Sequence, residues 1–519
     1  MSFTNKSNKK LILMLNKIYN INDLIAKISL LRKKNLKVGL CHGLFDLIHP
    51  GHLYHLNEAK KFCDILIVSI TADRFVKKNL NSPAFNQNLR AFSLSNLQMV
   101  DFVAISESNS STNIIKKLKP NYYFKGKEYK QSDSIGNLKN EIIACKKNKV
   151  KVKFIGNRIF SSSNLLAKNF YPINDKNLSL HINNLKNEDK NLDKLFLKAK
   201  DIKILLIGEI IFDKYTFINT YGLSPKSNTL SGSIEKSLLM EGGILSSRKF
   251  LKQFTNNITC LSIINENVKK DKEKNEILKK INKIFFSKDF PTITKERILQ
   301  SDKNIEEQKK LLTINHFTNN DLSKKDQNKI LNYLKKNIHK FDTVMVQDFG
   351  HGLINDKIAK FIYKNSKFLS LNVQTNSMNY GFNIIDQKFK KTDLFSLDKK
   401  ELQLFSRRND IDFSKKLFEL KKKMKSKIGF LTIGDDYTLV NGYKKNIKIS
   451  ALETKVVDTV GAGDIFHSFA TLLSSLTKND FLIIFLSQIA GSLAVRILGN
   501  SRPPSINEIK NTFNFYTNR

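Results

Sequence analysis

CHGLFDLIHPGH, residues 41–52, decides the reading of the first third of the chain. It follows an apolar run ending in VGLC and opens a segment with helical spacing, so it reads as the junction of a strand and a helix. The first backbone N–H groups of a helix lack partners and the helix dipole is positive there, which makes such a junction a phosphate site. Gly51 lets a triphosphate come close to the backbone. His49 and His52 are three apart and face one side of the first turn. Two imidazoles there can donate hydrogen bonds to a phosphoryl oxygen as negative charge builds up in displacement. A His-x-x-His pair alone is a weak signal and is often structural. Gly43 and the Phe45-Asp46 pair in front of it narrow the reading.

Working outward, short apolar runs alternate with helical patterns: VGLCHG, a helix from about Pro50 to Phe62, DILIVSIT, DFVAIS, a helix near Ile114, YYFKG and VKVKFIG. Such alternation implies a parallel sheet. It begins at Leu36 and stops near Phe170. Residues 1–35 read as a basic, partly helical extension, and residues 171–200, rich in Asn, Lys and Asp, as a linker. At Asp201 a new strand, IKILLIG, starts a second βα series that runs to residue 519. A chain of 519 residues is too long for one core, which agrees with two domains, 36–170 and 201–519. Within the second, residues 265–340 are Lys- and Asn-rich, with helical segments and a few short strands, and the two halves share no repeat.

Gly43-x-Phe45-Asp46-x-x-His49-x-Gly51-His52 resembles the signature of the cytidylyltransferase superfamily. Residues 36–168 resemble more closely the adenylyltransferase domain of the bifunctional heptose-phosphate kinase/adenylyltransferases. Asp73 stands where that family has Asn-Ser-Asp, and Arg90, taken as opening a helix, leads to Val100-Asp101 as in its Arg…Val-Asp element. Lys125-Gly126-Lys127-Glu128-Tyr129 resembles its Lys-Gly-Gly-Asp-Tyr, and Ser161-Ser162-Ser163-Asn164 its Ser-Thr-Thr-Asn. The resemblance implies attack of a sugar-phosphate or polyol-phosphate oxygen on the α-phosphorus of ATP or CTP, ATP being the closer match, with Mg²⁺ neutralising the pyrophosphate that leaves. His49 and His52 are then catalytic. Gly43, Phe45, Asp46, Gly51, Asp73, Arg90, Lys125, Gly126, Ser161, Ser162 and Ser163 bind the nucleotide and its phosphates, Arg90 bidentately or else as a surface helix charge. Either Lys77 or Lys78 belongs to the family's basic loop.

A second stretch, Asp458-Thr459-Val460-Gly461-Ala462-Gly463-Asp464, precedes a long apolar helix. Its glycines let backbone N–H groups converge on a phosphoryl group, and Asp464 is placed to take a proton from an attacking hydroxyl. The string resembles the signature of the ribokinase-like carbohydrate kinases. The resemblance assigns sugar binding to Glu209, Asp213, Gly242, Gly243 and Ser246, nucleotide binding to Thr432, Gly434, Gly461, Ala462 and Gly463, and Mg²⁺ to Glu401. Gln347-Asp348-Phe349-Gly350-His351-Gly352 looks like the family's Asp-Tyr-x-x-Gly. The departures are Ser246 where that family has Asn, Asp398 where it has Asn, and Asp436-Tyr437 where a third Gly follows Thr432-x-Gly434. The domain order is also the reverse of that in the heptose enzymes.

The expected fold class is α/β in two domains: an N-terminal Rossmann-like nucleotidylyltransferase and a C-terminal ribokinase-like three-layer α/β/α domain. The leading reading is an enzyme that phosphorylates a sugar and converts a sugar phosphate into a nucleotide sugar. In an alternative, only the transferase turns over and the second domain binds sugar or mediates dimerisation. The formal charge of +41, from 88 Lys plus Arg against 47 Asp plus Glu, opens a third, nucleic-acid binding. The lysines are scattered, with no aromatic-interleaved basic motif, so the charge reads as compositional drift and nucleic acid is not an expected partner. Cys41, Cys63, Cys145 and Cys260 lie far apart, against a disulfide framework or a zinc site. The apolar stretch Leu11–Leu15 is too short for a signal peptide, and Phe481–Val495, carrying Ser487, Gln488 and Ser492, reads as a buried helix and not a membrane span. A cytoplasmic homodimer is expected.

Overall fold

The computed structural model describes residues 17–76, 83–108, 110–127, 138–155, 182, 185, 189–301, 309–317, 321–375, 379–452 and 456–517. The chain divides into two compact units, one reaching to Pro172 and the other spanning Ile173–Thr517.

The first unit is built on a parallel sheet of six strands: β1 (Ile18–Tyr19), β2 (Val38–Gly43), β3 (Ile65–Thr71), β4 (Phe102–Ser106), β5 (Tyr122–Gly126) and β6 (Lys151–Ile155), ordered β1-β4-β3-β2-β5-β6. Side chains alternate across a strand, and both faces are covered. Val38 and Leu40 of β2 join Ile67, Leu24, Ile28 and Ile114 on one face, while Cys41 joins Leu66, Val68, Leu56 and Leu94 on the other. Residues 17–32, expected as part of an extension, carry the edge strand β1 and the helix Ile21–Arg32, whose Leu24 and Ile28 are buried in that core. The chain runs from β2 through β3 to β4 on one side, then returns to β5 on the other. The crevice beyond the carboxyl end of β2 is therefore the switch point at which open α/β sheets bind ligands.

The second unit has a nine-stranded sheet and a four-stranded one. The large sheet, ordered β11-β10-β7-β14-β15-β16-β17-β18-β19, contains β7 (Ile204–Gly208), β10 (Ile258–Asn265), β11 (Ile284–Ser287), β14 (Thr343–Asp348), β15 (Leu369–Val373), β16 (Leu394–Asp398), β17 (Ile428–Ile433), β18 (Tyr437–Asn441) and β19 (Asn446–Ser450). It is parallel as far as β17 and antiparallel from there. The helices Lys324–Asn337, Asp356–Asn365 and Phe413–Lys423 pack on one face through Ile330, Leu334, Ile358, Ile362, Leu417 and Leu420. Ser370 of β15 and Ser396 of β16 bond His467 of the helix Ala462–Leu476, and burial pushes that imidazole down to about 3. The helix Asp480–Ala494 is buried along almost its whole length, and among the described residues no helix is long and apolar enough to cross a membrane. The helix Asp189–Ala199, expected within a linker, sets Phe196 against Phe254 and Phe469 of the same unit.

The small sheet, β13-β12-β8-β9, consists of β8 (Ile210–Leu223), β9 (Leu230–Gly243), β12 (Ile293–Gln300) and β13 (Lys310–Asn315). The fourteen-residue strands β8 and β9 form an antiparallel hairpin that the sequence reading did not anticipate. The four cysteines are free and buried. Burial pushes the thiols of Cys63 and Cys145 up to about 11 and that of Cys260 up to about 12, and raises Cys41 further.

Candidate active sites

In the first unit His49 is the N-cap of the helix Pro50–Lys60, with extended backbone and Pro50 next to it. Proline suits that first helical position because its missing N–H would have no partner there. The His49 Nδ1 accepts a hydrogen bond from the Gly51 N–H at 3.1 Å. A nitrogen that accepts carries no proton, so the neutral ring holds its proton on Nε2. The His52 ring stacks on that of His49, with centroids 3.9 Å apart, and Phe45 lies against His52 at 5.1 Å. Phe45 has a φ of +49°, a conformation uncommon for a side-chain-bearing residue. Asp46 is buried and accepts from the Phe85 N–H at 3.1 Å, tying the loop to the chain ahead of the next helix.

Three expected phosphate ligands have other partners. Arg90 is the fourth residue of the helix Gln87–Ser95, not its first, and it is 1% exposed. Its guanidinium donates to the carbonyls of Leu44 at 2.6 Å, Thr71 at 2.8 Å and Phe85 at 3.0 Å, and to the Asp73 carboxylate at 2.6 Å. It clamps the loop after β2 to the end of β3, so neither the bidentate phosphate contact nor the surface helix charge describes it. Asp73 completes the clamp, exchanging bonds with the Gln87 backbone and side chain. Lys125, on β5 next to Gly126, pairs with Glu141 at 2.8 Å. Burial would raise the Glu141 carboxyl, but Lys125 and a bond from Ser111 hold it below the ordinary range. Sequence reasoning missed His42, which bonds Ser69 at 2.8 Å and is pushed down to about 4 by burial and by Lys125. Lys77, Lys78, Glu128, Tyr129 and Ser161 to Ser163 lie outside the described residues.

In the second unit Asp464 sits in the first turn of the helix Ala462–Leu476, whose N-cap Gly461 has a φ of +80°. A Cβ on Gly461 would lie 2.2 Å from the Asn500 Oδ1. The first N–H groups of a helix are where an anion binds, and at this helix start that of Ala462 donates to the Thr459 carbonyl at 3.4 Å. Asp464 accepts from Gln374 at 2.7 Å, which sequence reasoning missed, and from Gln347 at 3.3 Å, the first residue of the 347–352 segment. Burial, with Asp213 nearby, pushes its carboxyl up to about 7 in spite of the Gln374 bond. Asp458 ties the loop to the small sheet: it accepts from Tyr215 at 2.5 Å, pairs with Lys310 at 2.6 Å and accepts from the Gly499 N–H at 3.0 Å.

Of the expected sugar residues, Asp213 is buried, pairs with Arg297 at 2.5 Å and accepts from Asn500 at 3.0 Å. Gly242 permits the close approach of β9, because a Cβ there would meet the Asp213 carboxylate at 2.2 Å. Gly243 caps the helix Ile244–Leu251, and Ser246 within that helix donates to Asn500 at 2.9 Å. Glu209 has a different place: fully buried, it accepts the N–H groups of Phe349 and His351 at 3.0 and 3.1 Å. It anchors that loop and is not positioned as a sugar contact; burial and Asp348 push its carboxyl up to about 7. Lys295 on β12, largely buried, faces Asp213, Glu209 and Asp464. The sequence signal for it was the Lys295-x-Arg297 spacing, which puts two cations on one strand face.

Thr432 is the penultimate residue of β17, and Gly434, with a φ of +48° and open space above it, turns the chain into β18. Glu401 closes a capping box: it accepts from the N–H groups of Asp398 at 2.8 Å and Thr375 at 3.2 Å. Burial, then Asp398, pushes it up to about 8, and Asp464 adds to this. Among the described residues no group of three or more His, Cys, Asp or Glu could hold a metal. Two desolvated carboxyls with raised values, Glu401 and Asp464, fit a Mg²⁺ that arrives on nucleotide phosphates and keeps much of its water.

Residues 40–169 match the family model described as cytidylyltransferase-like. Among curated proteins, the bifunctional protein HldE of Nitrobacter winogradskyi is 37% identical over 116 residues, 22% of this chain and 24% of that one. That of Aliarcobacter butzleri is 38% identical over 118 residues, with the same two shares. The chain thus spans about a quarter of the length of the curated relatives it matches. Among solved structures, the ribokinase of Thermotoga maritima is 16% identical with a TM-score of 0.44, covering 59% of this chain and 98% of that one. Phosphofructokinase-2 of Escherichia coli is 14% identical with a TM-score of 0.48, covering 61% and 100%. The chain joins a cytidylyltransferase-like domain, residues 40–169, to an α/β/α domain that resembles the ribokinase-like kinases in its motifs.

Proposed function

We propose that the chain is a two-site enzyme that phosphorylates a sugar and transfers a nucleotidyl group from ATP to a sugar phosphate, giving a nucleotide sugar and pyrophosphate of the ADP-heptose type. The observation that carries this reading is the stacked His49–His52 pair at a helix start beyond the switch-point strand β2. At the first site a sugar-phosphate oxygen bonds to the α-phosphorus, and the bond to the bridging oxygen breaks, releasing pyrophosphate. The imidazole N–H donors and the helix N-terminus hold the charge that builds on the phosphoryl oxygens. In the second, a sugar hydroxyl bonds to the γ-phosphorus, ADP leaves, and Asp464 takes the hydroxyl proton while the loop at Gly461–Gly463 holds the transferred group. Mg²⁺, when bound, neutralises the nucleotide phosphates, with Glu401 and Asp464 beside it in the second site.

The test measures pyrophosphate release from ATP and from CTP against a panel of sugar 1-phosphates and polyol phosphates, and sugar-dependent ADP release in parallel. The reading expects an ADP-linked product made in preference to a CDP-linked one. A CDP-linked product would overturn the nucleotide assignment, and absence of pyrophosphate release across the panel would overturn the transferase itself. His52→Ala should lower pyrophosphate release by at least about two orders of magnitude, the cost of removing a preorganised donor to developing charge. Release at the parent rate would remove His52 from the site.

A further inference from the structure

The departure at Ser246 removes an amide from the sugar side of the second site, and another amide stands in contact with it. Asn500 lies after the helix Asp480–Ala494, more than 250 residues along the chain, and is 8% exposed. Its Nδ2 donates to the Asp213 carboxylate at 3.0 Å, and its Oδ1 accepts from the Ser246 hydroxyl at 2.9 Å. The same Oδ1 lies over Gly461, where a Cβ would come within 2.2 Å of it. One side chain therefore touches the expected sugar carboxylate, the serine that replaces the expected asparagine and the first residue of the anion loop. Its backbone is fixed as well, because the preceding Gly499 N–H donates to Asp458 at 3.0 Å. A carboxamide has two N–H groups and two lone pairs, so after these bonds one donor and one acceptor remain.

We propose that Asn500 is a specificity-determining residue for the sugar acceptor, supplying from the C-terminal side of the chain the amide that position 246 lacks. The inference rests on the reading of the second unit as a sugar kinase. The free N–H and lone pair of Asn500 then pair with adjacent acceptor hydroxyls beside Asp213, and Ser246 acts through Asn500 by fixing the orientation of its amide.

The experiment uses the full-length protein with MgATP and three acceptors, D-ribose, D-fructose 6-phosphate and sedoheptulose 7-phosphate, and reads ADP release. Asn500→Ala should raise the acceptor KM at least about tenfold, as loss of a hydrogen bond to a substrate hydroxyl does, and leave the KM for ATP within about twofold. Ser246→Asn combined with Asn500→Ala should recover most of the lost affinity, because it returns an amide to the same pocket. If Asn500→Ala loses folded content by circular dichroism, the near-isosteric Asn500→Asp takes its place, with the same rise in acceptor KM expected. An unchanged acceptor KM in a folded variant, or a rise shared equally by ATP, would overturn the role of Asn500 and leave the kinase reading standing. Absence of acceptor-dependent ADP release by the parent protein would overturn both.

Discussion

Arg90 is all but fully buried and has five N–H donors, and its guanidinium bonds groups of Leu44, Thr71, Asp73 and Phe85. Arg90→Leu would strand three part-buried carbonyls and the Asp73 carboxylate, so a loss of about 3 kcal/mol in the stability of the first unit is expected. Hydrogen exchange at residues 43–46 should speed up, and unchanged protection there would mean that the clamp does not hold the loop. The contrast with His49 and His52 shows what sequence carries. Their contact depends on a three-residue spacing on one helix turn, which can be read directly from 41–52. The role of Arg90 depends on acceptors from separate segments brought together only by the sheet, so a motif suggests a phosphate ligand and the fold makes it a clamp. Glu209 was misread for the same reason: its partners, Phe349 and His351, are about 140 residues away.

The helix Ala462–Leu476 shows the same division among elements. Its Gly-rich start and apolar length are local, and both were legible in Asp458–Asp464 and the run that follows it. The hairpin of β8 and β9 was not, because its distal strands carry Lys, Ser, Glu and Thr with few buried positions, and a half-exposed ribbon gives a weak alternating pattern. Two outcomes follow for the helix start. Asp464 must be ionised to take a proton, and its carboxyl is pushed up to about 7. The kcat/KM for the sugar should therefore rise between pH 6 and 8 with a midpoint of about 7, since this parameter reports the free enzyme. A flat profile from pH 5 to 8 would remove Asp464 as the base, as would sugar-dependent ADP release by Asp464→Asn at the parent rate. Gly461→Ala combines a left-handed residue, costing about 1–2 kcal/mol, with a clash against Asn500, and should lower ADP release at least about a hundredfold. Pyrophosphate release by the same variant should be unchanged, because its site is in the other unit.

At the scale of the whole molecule, the hairpin of β8 and β9 exposes Tyr221, Leu223, Leu230 and Ile234, with Leu223 and Leu230 opposite one another in register. Exposed apolar patches of this kind mark association surfaces, so the expected homodimer would form here. Leu223→Asp with Ile234→Asp should shift sedimentation from dimer to monomer, and a dimer that persists would place the interface elsewhere. The scattered lysines behind the +41 charge gave no such address, because composition sets a long-range field and not a contact.

The four buried cysteines have a practical consequence for that hairpin. Maleimide dyes react with exposed thiolate, and at neutral pH the native thiols offer almost none. Ser227→Cys at the exposed hairpin tip would then be the single labelled position on an otherwise unaltered chain, with no need for a cysteine-free background. A fluorophore there would report, in real time and one molecule at a time, whether the small sheet swings when nucleotide and sugar arrive.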